Sequence, residues 1–226
     1  MIYLILYFIS GFVTIYAENA DLPRMVMYVS KVMLMPLLAL YLYHHTKSLK
    51  EYRFIYLALF FSWWGDIFLM FPRDKESPNA ELLFIGGLVS FLIGHVNYII
   101  HFLREVKQKK SATIVVQNPM YVIPFLIYIA IFLGVLFPHL QTMKAPVTVY
   151  GTVITLMAIA AFNRKLQVNK ASYIMVFVGA VLFVFSDSCI AVNVFYQPFE
   201  AARVVIMSTY IIAQYLIVRG IIAARD

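Results

Sequence analysis

The sequence predicts an all-α, polytopic integral membrane protein, a bundle of eight transmembrane helices with both termini cytoplasmic. Three observations predict it. Of 226 residues, 63% are apolar and only 13% charged, whereas soluble domains carry about 25% charged residues. The apolar residues fall into eight runs. Each approaches the roughly 20 residues that a helix rising about 1.5 Å per residue needs to cross a hydrocarbon core about 30 Å thick. Lys and Arg collect in alternate connections between the runs, as the positive-inside rule requires.

The first run, 2–17, lacks a basic leader and is followed by Glu18 and Asp21, so it reads as a retained span rather than a cleaved signal. Pro23 separates it from 24–43, and the stretch from His44 to Arg53 leads into 53–71. The break from Pro72 to Pro78 precedes 80–103, and the basic stretch from Arg104 to Lys110 precedes 118–138. Pro138 and Pro146 mark the passage to 146–162, Asn163 to Lys170 the passage to 172–196, and Pro198 the start of 200–222. Pro36 and Pro124 are the prolines that fall well inside spans. The connections are too short to build a soluble core, so residues 1–226 read as a single transmembrane domain.

A net charge of +7 raises the question of nucleic acid. The basic residues sit in short clusters rather than in one stripe, so the balance reports topology and no nucleic-acid partner is expected. One set of connections holds Lys47, Lys50, Arg53, Arg104, Lys107, Lys109, Lys110, Arg164, Lys165, Lys170, Arg219 and Arg225. The alternate set holds Arg24, Arg73, Lys75, Lys144 and Arg203. This asymmetry puts both termini on the cytoplasmic side of a cell membrane, the inner one if the source is bacterial. No metal or cofactor is expected. Cys189 is the single cysteine, His44-His45 sits in a basic loop, and there is neither a Gly-rich phosphate loop nor a Gly-x-Ser-x-Gly elbow.

Of eleven acidic residues, nine fall in loops or span ends, whereas Asp66 and Asp187 fall inside spans. A charge at a span centre costs at least about 2.5–3.5 kcal/mol, so an ionisable residue there reads as functional. Neither aspartate has an opposite charge one turn away, so a partner has to come from another helix. Lys31 on the second span and Asp66 on the third both lie about 10 Å in from the same side. His95 and Tyr98 share a face of the fourth span, Tyr210 and Gln214 a face of the eighth, and Ser62 sits one turn before Asp66. Each has a structural alternative: packing aromatics for the tyrosines, helix-to-helix hydrogen bonds for Gln214 and His95, snorkelling for Lys31.

Gly65-Asp66-x-x-Leu69 is echoed by Ser186-Asp187-x-x-Ile190 on a span of the same direction, which suits the repeats of some transporters. A proton-coupled transporter of a small molecule or lipid, using the same Asp, Lys and His groups, is therefore the alternative reading. It needs helices broken at the site, and neither Pro36 nor Pro124 adjoins an aspartate. A lipid-binding protein without catalysis is a third reading.

Ser62-Trp63-Trp64-Gly65-Asp66, Gly94-His95-x-x-Tyr98, Gly179-Ala180 through Ser186-Asp187-Ser188, and Tyr210-x-x-x-Gln214-Tyr215 together resemble the YhhN, or lysoplasmalogenase, family. The resemblance covers the whole chain, including its length, its eight spans and a lysine in the second. It implies hydrolysis of the vinyl-ether bond of lysoplasmalogens, giving a fatty aldehyde and a glycerophospho-choline or -ethanolamine. Such hydrolysis begins with protonation of carbon, so it needs a carboxylic acid still protonated near neutral pH. It also needs a negative charge to stabilise the cation. Two carboxyls in apolar surroundings meet that need, because they resist ionising together. Asp66 and Asp187 are the expected catalytic residues. Lys31, Ser62, His95, Tyr98, Ser186, Tyr210 and Gln214 are the expected supporting ones, and the lysophospholipid substrate enters from the bilayer.

Overall fold

A computed structural model describes residues 1–20, 22–70, 79–107 and 112–225, and among these there is no strand. The break at 72–78 with Arg73 and Lys75, together with Asp21, Lys109 and Lys110, lies outside the described residues. Among the described residues, eight helical segments are long and apolar enough to cross a membrane. They are Ile2–Asn19, Arg24–Thr46, Arg53–Met70, Ala80–Lys107, Pro119–His139, Gln141–Phe162, Lys170–Tyr196 and Ala202–Ala223. The chain is thus a multi-pass integral membrane protein, as expected.

The α-helices within these segments are α1 (Ile2–Asn19), α2 (Arg24–Thr46), α3 (Arg53–Met70) and α4 (Ala80–Lys107), then a single turn, α5 (Ile114–Gln117), and α6 (Ile123–Leu136), α7 (Lys144–Phe162), α8 (Lys170–Ala191) and α9 (Ala202–Ala223). Prolines explain where they depart from the expected spans. Pro146 sits in the first turn of α7, where a missing N–H has no intrahelical partner to lose, so the helix starts at Lys144 rather than at 146. Pro124 likewise opens α6 after a 3-10 turn over Pro119–Val122, so it begins a helix rather than interrupting one. Helix α4 continues to Lys107, past the expected end at 103. Its last turn carries Arg104 and Lys107, which complement the negative end of the helix dipole. Helix α8 passes into a π-helical segment, Val192–Tyr196.

The chain forms two compact units, Met1–Asn97 and Tyr98–Asp226. In the first, α2 packs against both α1 and α3. Hydroxyls tie α1 to α2: Ser10 donates to the Ser30 carbonyl at 2.7 Å, and Thr14 to the Ser30 hydroxyl at 2.9 Å. The α2–α3 tie follows from Pro36. Proline lacks the N–H that would bond the carbonyl four residues back, Val32. The Trp63 indole N–H of α3 donates to that carbonyl at 2.8 Å, so a bond lost within one helix is replaced by one between two. Glycines let α4 approach α3. A Cβ on Gly94 would lie 3.2 Å from the Ala58 carbonyl, and one on Gly65 would enter the Phe91 ring at 2.5 Å.

In the second unit α8 and α9 form the closest pair. A Cβ on Gly179 would meet the Ala213 carbonyl at 2.9 Å, and one on Gly220 would meet the Val176 amide nitrogen at 2.9 Å. Small residues thus bring the two backbones together where lipid supplies no hydrophobic drive. Asn169 caps α8 by accepting from the Ser172 N–H, and its amide donates to the Ala223 carbonyl at the end of α9. Arg164, read from sequence as a loop charge, is fully buried. Its Nε and Nη2 donate to Glu105 at 2.7 and 3.1 Å, and Nη2 also reaches the Ser172 hydroxyl at 3.0 Å.

Candidate functional site

In the first unit, Asp66 of α3 is 3% exposed and Lys31 of α2 is 7% exposed, while Ser62 and His95 are each 1% exposed. The Trp63–Val32 bond sets their levels. Lys31 precedes Val32 by one residue and Asp66 follows Trp63 by three. On antiparallel helices both displacements run the same way, by about 1.5 and 4.5 Å. Lys31 and Asp66 therefore lie at nearly one level, as their sequence positions imply. Gly94 brings the α4 backbone to Ser62, whose Oγ lies 3.4 Å from where a Gly94 Cβ would stand. Gly87 stands beside Gly65 and Leu69, and Gly94 beside Ala58 and Ser62, so the backbone of His95 lies about two helical turns from the level of Asp66.

In the second unit the structure brings together three of the residues singled out from sequence. The Tyr98 hydroxyl donates to Oε1 of Gln214 at 2.5 Å, and the Gln214 amide donates to the Tyr210 hydroxyl at 3.4 Å. All three are buried. Tyr210 also stands edge-on to Phe183, one turn before Asp187, with ring centroids 5.4 Å apart. Ser186, fully buried, donates to the Ile206 carbonyl at 3.0 Å. Ser186 and Phe183 thus share the face of α8 turned to α9, and Asp187 lies a step of about 100° around the helix from Ser186.

Asp187 is half-buried, whereas Asp66 is wholly buried. Its carboxylate oxygen Oδ2 accepts a hydrogen bond from the Tyr150 hydroxyl of α7. The next residue, Ser188, is met by the Tyr128 hydroxyl of α6 at 2.5 Å. The single Ser188 proton goes to the Val184 carbonyl, so Tyr128 is the donor to Ser188. Tyr150 and Tyr128 were not singled out from sequence. They are two of 16 tyrosines, and only the rotation of α6 and α7 against α8 distinguishes them from the packing aromatics.

The chain is 28% identical over 154 residues to the human lysoplasmalogenase TMEM86B, covering 68% of this chain and 56% of the relative. It is 30% identical over 179 residues to a lysoplasmalogenase of Mycobacterium bovis, covering 78% and 63%. It is 28% identical over 177 residues to the bovine lysoplasmalogenase TMEM86A, covering 76% and 66%. The chain therefore spans between 56% and 66% of the length of these curated relatives. No solved structure matches it. The YhhN family model matches residues 26–221, from the second span through the eighth and across both aspartates, and the chain belongs to the YhhN family.

Proposed function

We propose that this chain hydrolyses the vinyl-ether bond of lysoplasmalogens inside the bilayer, as one transmembrane domain with both termini cytoplasmic. The observation that carries the reading is a pair of carboxyl side chains inside spans, Asp66 and Asp187, in a chain whose relatives are named lysoplasmalogenases.

The chemistry requires little else. A carboxylic acid delivers its proton to the vinyl carbon remote from oxygen, and the positive charge forms on the carbon bound to oxygen. A carboxylate stabilises that cation and takes a proton from the attacking water. The hemiacetal then collapses, its carbon–oxygen bond to glycerol breaking as its hydroxyl proton leaves, to aldehyde and a glycerol hydroxyl. One proton enters carbon and one passes from water to the other carboxylate, while the hemiacetal hydroxyl proton is matched by one gained at the departing glycerol oxygen. The pair thus again holds a single proton, which returns to the acid before the next turnover. In this proposal Asp66 and Asp187 divide these two roles, and Tyr150 holds the Asp187 carboxylate in one orientation. Lys31 binds the substrate phosphate. Ser62, His95, Tyr98, Ser186, Tyr210 and Gln214 support the reacting groups, and a lysophospholipid enters from the bilayer.

Helix α3 runs unbroken through Asp66 and α8 through Asp187. This supports hydrolysis over the transporter reading, which calls for helices broken at the site. The test is aldehyde release from a lysoplasmalogen by purified Asp66→Asn and Asp187→Asn variants. Both should lose turnover while remaining folded, and near-normal release by either overturns the two-carboxyl mechanism. Mass spectrometry of products from a panel of lysolipids checks the bond cleaved: fatty acid in place of aldehyde would mean ester cleavage.

A further inference from the structure

A groove of about 620 Å³ lies between α2 and α3 of the first unit. Pro36 and Ala39 form one wall, Leu57, Phe60 and Trp63 the other, and Arg53 stands at one end. Leu57 is 40% and Phe60 48% exposed, so the groove opens outward, where a membrane protein meets lipid. From Arg53 to Trp63 is ten residues of helix, about 15 Å, or half of a hydrocarbon core about 30 Å thick. The groove therefore runs from headgroup level to the midplane, the depth of one acyl chain.

Its rim is positive. Arg53 is exposed and opens α3, whose first turn has no acidic residue. A cation there adds to the positive end of the helix dipole instead of offsetting it. The turn before it carries Lys47 and Lys50 against the single Glu51. An apolar channel one chain deep, closed by net positive charge, matches a lipid bearing net negative charge.

We propose that this groove binds an anionic phospholipid of the leaflet bordering the Lys47–Arg53 turn, with its phosphate at Arg53 and one acyl chain against Ala39, Phe60 and Trp63. The site is distinct from the proposed hydrolysis and does not depend on it. Asp66 is thirteen residues beyond Arg53 on α3, about 20 Å away. In a lysoplasmalogen only the glycerol backbone separates phosphate from vinyl ether, so a lipid with its phosphate at Arg53 does not present that bond to Asp66.

Trp63 reports on occupancy directly. The chain has two tryptophans, so Trp64→Phe leaves Trp63 alone to fluoresce. That protein is placed in phosphatidylcholine vesicles containing rising fractions of phosphatidylglycerol or phosphatidylcholine with brominated, quenching acyl chains. Half-quenching should need about fivefold less of the brominated phosphatidylglycerol, the preference that one basic residue confers at a membrane surface. Arg53→Gln should abolish the preference, and so should Ala39→Phe, which fills the channel. Equal quenching by the two lipids would overturn the proposal, because Trp63 would then meet only bulk lipid. A preference that survives both substitutions would also overturn it, since the other basic turns would be its source.

Discussion

Pro36 and Trp63 are joined through a third residue that neither resembles, the carbonyl of Val32. Proline withdraws the donor that carbonyl would have within α2, and the indole replaces it at 2.8 Å from α3. Trp63→Phe keeps an aromatic ring but removes the donor. The carbonyl then stays unpaired in a part-buried setting, which costs about 1–3 kcal/mol, with a further loss for the smaller ring. In a Pro36→Ala background the restored backbone N–H bonds the Val32 carbonyl within the helix, so removing the indole donor no longer leaves it bare. Trp63→Phe should therefore be less damaging there, by about 1 kcal/mol, near the upper half of what hydrogen bonds between membrane helices contribute. Ring-size effects occur in both backgrounds and cancel in the cycle. The assay is loss of helical circular dichroism as purified protein in mixed micelles is titrated with a denaturing detergent. Single and double substitutions that add to within about 0.3 kcal/mol would refute the substitution of one donor for another.

Three further outcomes follow from other contacts. Tyr150→Phe removes the donor to Asp187 and should lower aldehyde release by at least about tenfold, or about 1.4 kcal/mol, with stability little changed; unaltered turnover would remove Tyr150 from the mechanism. Gly179→Ala should destabilise the α8–α9 pair by about 1–3 kcal/mol, since its Cβ meets backbone at 2.9 Å, whereas Gly134→Ala, with nothing within 4 Å, should be neutral or stabilising by about 0.5 kcal/mol. Arg164→Met leaves Glu105 without its partner and should cost about 3 kcal/mol in the same unfolding assay.

Runs of apolar residues and the prolines between them made the eight spans legible, because crossing lipid imposes a length that sequence alone can satisfy. Asp66 was legible for the same reason: a carboxyl amid Trp64, Ile67 and Phe68 stands out in one dimension. Tyr150 was not. A tyrosine is at home in any apolar run, and its role depends on which way α7 is turned toward α8. Arg164 misled in a more specific way. Its neighbour Lys165 belongs to the same basic connection, and nothing local separates the exposed cation from the buried one. The distinction comes from Glu105, 59 residues earlier, and from the Phe102 ring, 5.4 Å from the guanidinium carbon. Trp63 was noticed as part of a motif, but the reason for an indole at that position lies in Pro36 on another helix.

The polar groups within the spans sort by what their bonds accomplish. Thr152 donates to the Thr148 carbonyl and Thr155 to the Gly151 carbonyl, so these hydroxyls are satisfied by their own helices. Ser30, Trp63, Ser186 and Gln214 take bonds that cross between helices and serve association. None of these tasks requires ionisable acidity. The Tyr150 hydroxyl in particular needs only an oxygen acceptor, and an asparagine of nearly the same shape would provide one without the cost of a charge in a span, about 2.5–3.5 kcal/mol at its centre. A carboxyl at 187 is thus more than the Tyr150 bond asks for, and the property that the proposed reaction would use is its ability to gain and lose a proton. Asp187→Asn isolates that property. It should leave unfolding free energy within about 1 kcal/mol of the parent, since the acceptor for Tyr150 is retained, while aldehyde release collapses. A variant that loses stability and activity together would instead make the charge part of the packing, and the argument from surplus acidity would fail with it.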